Sequence, residues 1–195
     1  MKGNQTISLY CKNFTSRLRF ANHVVFELLL GLELIEYWEI SAFEAIETPK
    51  VSYSLLNVGN SFHIVPVSLL FEQEIIHKKL QHTRSEIPLI FSTEDADLEF
   101  DPLAAAFYVV SRYEEYLPHK KDKHDRFPAR NSLQFIMGIL DIPIVHAWAH
   151  LLSEKLKAKY PSLEITKPKF QYIPCLLYTS PSPRDATLSR MPSSA

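Results

Sequence analysis

Titratable side chains gather in three groups between residues 92 and 154, and each points to a different chemistry. The first is the acidic run at residues 92–99, with Glu94, Asp95, Asp97 and Glu99. It superficially resembles a calcium loop, but it lacks the central glycine and the regular alternation of ligands that such a loop needs. It reads as a solvated loop. The second group is His146, His150 and Glu154, each four residues from the next. That spacing makes a metal-capable stripe on a helix. At ~100° per residue, however, the stripe lies opposite Val145, Trp148, Leu152 and Leu156 and should point to water. The third group is the densest. Arg112, Tyr113, Glu114 and Glu115 are followed by the loop His119-Lys120-Lys121-Asp122-Lys123-His124-Asp125-Arg126 and then Phe127. Two histidines, two aspartates and four cations in that loop could hold a phosphate or an acidic sugar, although such loops are more often plain surface. Arg112, Glu114 and Glu115 could instead tie the loop down by ion pairs and capping. A small enzyme using His124, Asp122 and Glu115 is a further reading of the same residues. The chain has no GxSxG, no glycine-rich phosphate loop and no defensible pair of catalytic carboxylates.

The elements that would position these groups are those of an ordinary globular chain. At 195 residues, 46% hydrophobic and 22% charged, it can form one domain with a core plus a tail. A net charge of -1 with scattered basic residues gives no field for nucleic acid. The cysteines, Cys11 and Cys175, make neither a disulfide framework nor a metal cluster, and Cys11 reads as a small buried hydrophobe. The first residues lack the apolar run of a signal peptide, and no segment reaches the ~18 apolar residues of a membrane span. The expectation is a soluble cytoplasmic protein with no membrane contact.

Along the chain, Ile7 to Tyr10 reads as a first strand, and Asn13 or Thr15 as the cap of a helix with the stripe Phe14, Leu18, Ala21, Val25, Leu28 and Leu32. Gly31 suits its stop. Strands are expected from Leu34 to Ile40, from Lys50 to Leu55 with Leu55 inward, from Phe62 to Val67, and from Ile87 to Phe91. Asp101 and Pro102 then open a strong helix predicted to run to Leu117, before Pro118. A last helix is expected from Pro143 to Tyr160, capped by Asp141, and a final strand from Phe170 to Pro174. The predicted class is α/β: a mixed β-sheet with three main helices, a single domain and a disordered tail.

That tail, residues 175–195, changes character to Ser- and Pro-rich text without periodicity. Cys175 to Ser180 is what TGT CTC TTA TAC ACA TCT encodes, a transposon end used in sequencing libraries. Ser189 to Ala195 fits TCT CGT ATG CCG TCT TCT GCT, a flow-cell adapter. The tail thus resembles a translated sequencing adapter, and residues 1–174 are the domain to interpret.

Within that domain, Phe100-Asp101-Pro102, Ala104 to Phe107, the run Ser111 to Tyr116 and Arg126-Phe127 resemble the uncharacterised N-terminal domain of bacterial polysaccharide deacetylase family proteins. Leu69 to Glu72 and the helix carrying Trp148 also fit. Asp125 departs from the pattern, which has glycine before Arg-Phe. The resemblance implies an accessory domain preceding a catalytic domain in which an aspartate and two histidines hold a divalent metal that activates water on an N-acetyl carbonyl. No residue here maps onto those positions. The fragment is then expected to be non-catalytic and without a cofactor of its own, with the missing deacetylase domain as its partner. Asp101, Arg112, Tyr113, Glu114, Glu115, Asp122, His124, Arg126 and Phe127 become structural or binding residues. The alternative is a freestanding glycan- or protein-binding module.

Overall fold

A computed structural model describes residues 5–47, 49–78, 80, 82–83, 86–165 and 172. Strand β1 (Gln5–Tyr10) lies at the centre of a four-stranded sheet ordered β2-β1-β3-β4, with β2 (Leu32–Tyr37), β3 (Lys50–Tyr53) and β4 (Phe62–Ile64). The α/β class is as predicted; every pairing among these four strands is parallel, with Leu9 opposite both Glu36 and Val51. Parallel strands alternate two faces, and both are covered here. Ile7, Leu9, Val51, Tyr53, Phe62 and Ile64 face the main core. The opposite face carries Ser8, Ser52 and His63, all buried. It also carries Tyr10, which packs on Phe43 of the short helix α2 (Ile40–Glu44) at 5.5 Å.

The first crossover begins with α1 (Ser16–Asn22), whose cap is Thr15: its hydroxyl accepts from the Leu18 N–H at 3.1 Å. The helix then widens into a π-helical segment, His23–Leu29, closed by an i→i+5 bond from the Leu30 N–H to the Val25 carbonyl. This corrects the predicted stripe. Wider turns move Phe26 and Leu30 into the core and leave Leu28 59% exposed. Gly31 ends the segment with φ +65°, as expected of a C-terminal glycine.

Other boundaries also move. β2 starts at Leu32 and stops before Trp38, which is exposed, and Ile40 opens α2 instead of closing the strand. β3 ends at Tyr53, so Leu55 points to solvent rather than inward. β4 ends at Ile64, before Pro66, which has no N–H to give to a ladder. The predicted strand at residues 87–91 is reduced to an isolated bridge between His82 and Ile90, because Phe91 adopts φ +57°.

Helix α3 (Pro102–Val110) starts where Asp101 and Pro102 place it, but it does not reach Leu117. Arg112 takes the left-handed conformation, φ +54°, and residues Tyr113–Tyr116 form a separate 3₁₀ turn. A further short helix, α4 (Leu133–Ile136), is capped by Ser132. Helix α5 (Ile144–Lys159) has Pro143 at its cap position; the Asp141 side chain plays no part. Trp148 of α5 is buried against Phe100, and its indole N–H donates to the Pro88 carbonyl at 2.9 Å. After α5 the chain returns to the start of β1, where the Glu164 N–H bonds the Gln5 Oε1 at 2.7 Å. The strand predicted at residues 170–174 and the tail at 175–195 lie outside the described residues, Tyr172 apart. Among the described residues no helix is long and apolar enough to cross a membrane.

Candidate functional site

Asp101 is fully buried and is more than a helix cap. One carboxylate oxygen, Oδ1, accepts from the N–H groups of Leu103 and Ala104, both at 3.0 Å. The other, Oδ2, accepts from the Tyr53 hydroxyl at 2.6 Å and the Val67 N–H at 2.9 Å. One side chain thereby joins the end of β3, the segment after β4 and the start of α3. Burial pushes its pKa up to about 6, against the pull of the donors from Ala104, Tyr53, Val67 and Leu103. Tyr53 is driven well above its ordinary range by burial first and by the adjacent Asp101 charge second, so it remains a donor.

The second cluster begins where α3 ends. The Tyr113 hydroxyl donates to the Ile76 carbonyl at 3.2 Å and accepts from the Ile76 N–H at 2.8 Å. Arg17 of α1 braces the same place. Its guanidinium lies 5.7 Å from the rings of both Phe107 and Tyr113 and donates to the carbonyls of Leu69, Gln73 and Glu74. Glu114 accepts from the Leu133 N–H with both oxygens, at 2.9 and 3.2 Å, and so anchors α4. Burial raises its pKa above the usual carboxylate range, partly offset by that N–H. Arg112 pairs with Glu115 on the surface.

The charged loop is also largely self-satisfied. Asp122 Oδ1 accepts from the N–H groups of His124 and Arg126, at 2.8 and 3.0 Å, while Oδ2 pairs with the Arg126 guanidinium at 2.9 Å. These contacts, the Arg126 N–H foremost, hold Asp122 below the usual carboxylate range. Lys121 pairs with Asp125 at 2.9 Å, and the His119 ring meets Phe127 edge-on at 4.8 Å. Asp125 has φ +61°, the backbone conformation that glycine favours, which accounts for the glycine expected there. Two open cavities border the cluster, of about 270 and 500 Å³, and share Arg112, Glu115 and Phe127. The structure therefore brings Arg112, Glu115, Arg126 and Phe127 together and holds Asp101 apart, inside the core. His146, His150 and Glu154 are exposed, as their helical phase predicts. In the acidic run, Asp97 is not merely solvated: it accepts from the His63 N–H at 2.7 Å and pairs with Lys159 at 3.1 Å.

The model of a family described as a family of unknown function, DUF7033, matches residues 7–161. The chain belongs to that family. No curated protein and no solved structure matches the chain. In this DUF7033 domain the arrangement is suited to holding elements in register and to surface contact; the carboxylates of the second cluster are bound to backbone N–H groups or to neighbouring cations. Sequence reasoning missed the Tyr53–Asp101 bond, which spans 48 positions. It also missed a third cavity, of about 760 Å³, at the carboxyl ends of β1 and β3. The adjacent apolar pair Leu55-Leu56, 75% and 80% exposed, was the available signal for it.

Proposed function

We propose that the chain is the accessory N-terminal domain of a polysaccharide deacetylase-like protein, ending before the catalytic domain of that protein and doing no catalysis itself. The observation that carries this reading is the use made of the Ser111–Tyr116 run on which the resemblance rests. Tyr113 holds Ile76, Glu114 holds Leu133, and Arg112 is committed to Glu115. Those are the attachments of a scaffold. Phe135, Ile136 and Leu140 stand exposed beside them, which suits a face that packs on a neighbouring domain. In this reading the divalent ion belongs to the catalytic domain, and no step is assigned to it here. The adapter reading of residues 175–195 belongs to the same proposal.

Sequencing the source gene past Pro174 tests it directly. A continuing frame with a Thr-x-Asp-x-Asp segment is expected, and a native stop codon at that point would sink the proposal. The purified chain, supplied with a divalent metal and an N-acetylated chito-oligosaccharide, should release no acetate. A second reading, a freestanding glycan- or protein-binding module, is favoured by the cavity of about 500 Å³ lined by Arg112, His119, Lys121 and Arg126. Glycan binding that is lost on joint replacement of Lys120, Lys121 and Arg126 by alanine would support it over the first.

A further inference from the structure

We infer that the cavity at the carboxyl edge of the sheet binds a small amphipathic anion, with its apolar body against Leu55, Leu56 and Phe71 and its anionic head at Lys12. The position is the first reason. The strand order β2-β1-β3-β4 sends the chain to one side of β1 first and to the other side afterwards. The loops leaving β1 and β3 therefore diverge, and in open parallel sheets the crevice so formed is where ligands bind. The loop after β1 supplies Lys12 and Asn13, and the one after β3 supplies Leu55 and Leu56. Shape is the second reason. The volume, about 760 Å³, is that of a small-molecule site, and Tyr10, Cys11 and Tyr53, all buried, line it. The site is an open crevice: core residues form its floor, while Leu55 and Leu56, 75% and 80% exposed, form its rim.

Charge chooses the ligand. Among the described residues lining the cavity, Lys12 is the only charged side chain, and it is exposed at the rim. The remaining lining is dominated by aliphatic and aromatic carbon, so a wholly polar anion such as free phosphate would leave most of it wet. A carboxylate, sulfonate or phosphate monoester on an acyl or aromatic body satisfies both parts. This inference is independent of any catalytic domain beyond Pro174, and it stands or fails separately from the accessory-domain reading.

The test is calorimetric titration of the full chain with octanoate, with 1-octanol as the neutral analogue. Saturable binding at one site is expected, octanoate binding about fivefold tighter than octanol. Lys12→Ala should abolish that preference while leaving octanol binding unchanged. Leu56→Asp should weaken both ligands by about tenfold or more, and, since Leu56 is 80% exposed, it should melt like the parent. Absence of saturable octanoate binding would overturn the inference, as would octanoate affinity unchanged by Leu56→Asp. A concentration-dependent dimer that Leu56→Asp disperses, without octanoate binding, would overturn it too and assign the face to a second copy of the chain.

Discussion

Replacing Asp101 with asparagine sets burial against hydrogen bonding at a single atom. The carboxyl is fully buried and its pKa is raised from 3.8 to about 6. A group with a folded pKa above its unfolded value contributes stability below the unfolded pKa and loses it as pH rises through the folded one. The gap between 3.8 and about 6 is worth about 3 kcal/mol, so the wild-type chain should lose about 2–2.5 kcal/mol of it from this group between pH 4 and pH 7. Asparagine carries no such titration. It carries a fixed penalty instead: with Oδ1 kept on the Leu103 and Ala104 N–H groups, its Nδ2 faces the Val67 N–H, and one buried donor goes unanswered at about 1–3 kcal/mol. Urea denaturation followed by tryptophan fluorescence, on both chains from pH 4 to pH 7.5, reads the difference. The stability advantage of the wild type over Asp101→Asn should shrink by about 2–2.5 kcal/mol across that range. Parallel curves would refute the argument. A wild-type advantage that grows with pH would show that the donors around Asp101 outweigh its burial and that its folded pKa lies below 3.8.

Other expectations concern single positions. Leu28→Lys should change stability by less than about 0.5 kcal/mol while Phe26→Ala costs about 3–5, and the reverse order in chemical denaturation would restore a regular α-helical phase to residues 23–29. Asp125→Gly should stabilise the chain by about 0.5–1 kcal/mol, read as a raised urea midpoint, since φ +61° suits glycine and the Lys121 pair it removes is exposed. Tyr53→Phe removes a donor to a buried carboxylate and should cost about 1.5–3 kcal/mol at pH 7.5, with a smaller loss at pH 4.5, where Asp101 is protonated. Equal losses at the two pH values would argue against the ionised form as the acceptor.

What the sequence disclosed was local. Asp101-Pro102 announced α3 and Thr15 announced α1, because capping acts within a few residues; Pro66 ends β4 in the same local way, although the expected strand ran past it to Val67. The end of α3 was hidden because Arg112 turns the chain through a left-handed conformation with no glycine to mark it. The π-helical segment was hidden because its stripe differs from an α-helical one by a single residue per turn. At the candidate site, the charged cluster from Arg112 to Phe127 could be read as a unit, and its pairing follows from the i, i+3 and i, i+4 spacings. The partners of Glu114 and Tyr113, and the two that meet Asp101 Oδ2, could not be read, since each lies on a segment brought in by the fold. Leu55 was misplaced for a related reason: strict alternation puts it inward, but the strand stops at Tyr53 and the rule stops with it.

The bond between the Glu164 N–H and the Gln5 side chain brings the two ends of the described domain within reach of each other. A domain with adjacent ends tolerates rewiring of its chain order. Joining residue 165 to residue 5 by a short flexible linker and opening the chain in the exposed loop near Lys123 should give a circular permutant that keeps the β2-β1-β3-β4 sheet. The same adjacency would let the domain sit as an insert within a loop of another protein, entered and left through neighbouring points on its surface.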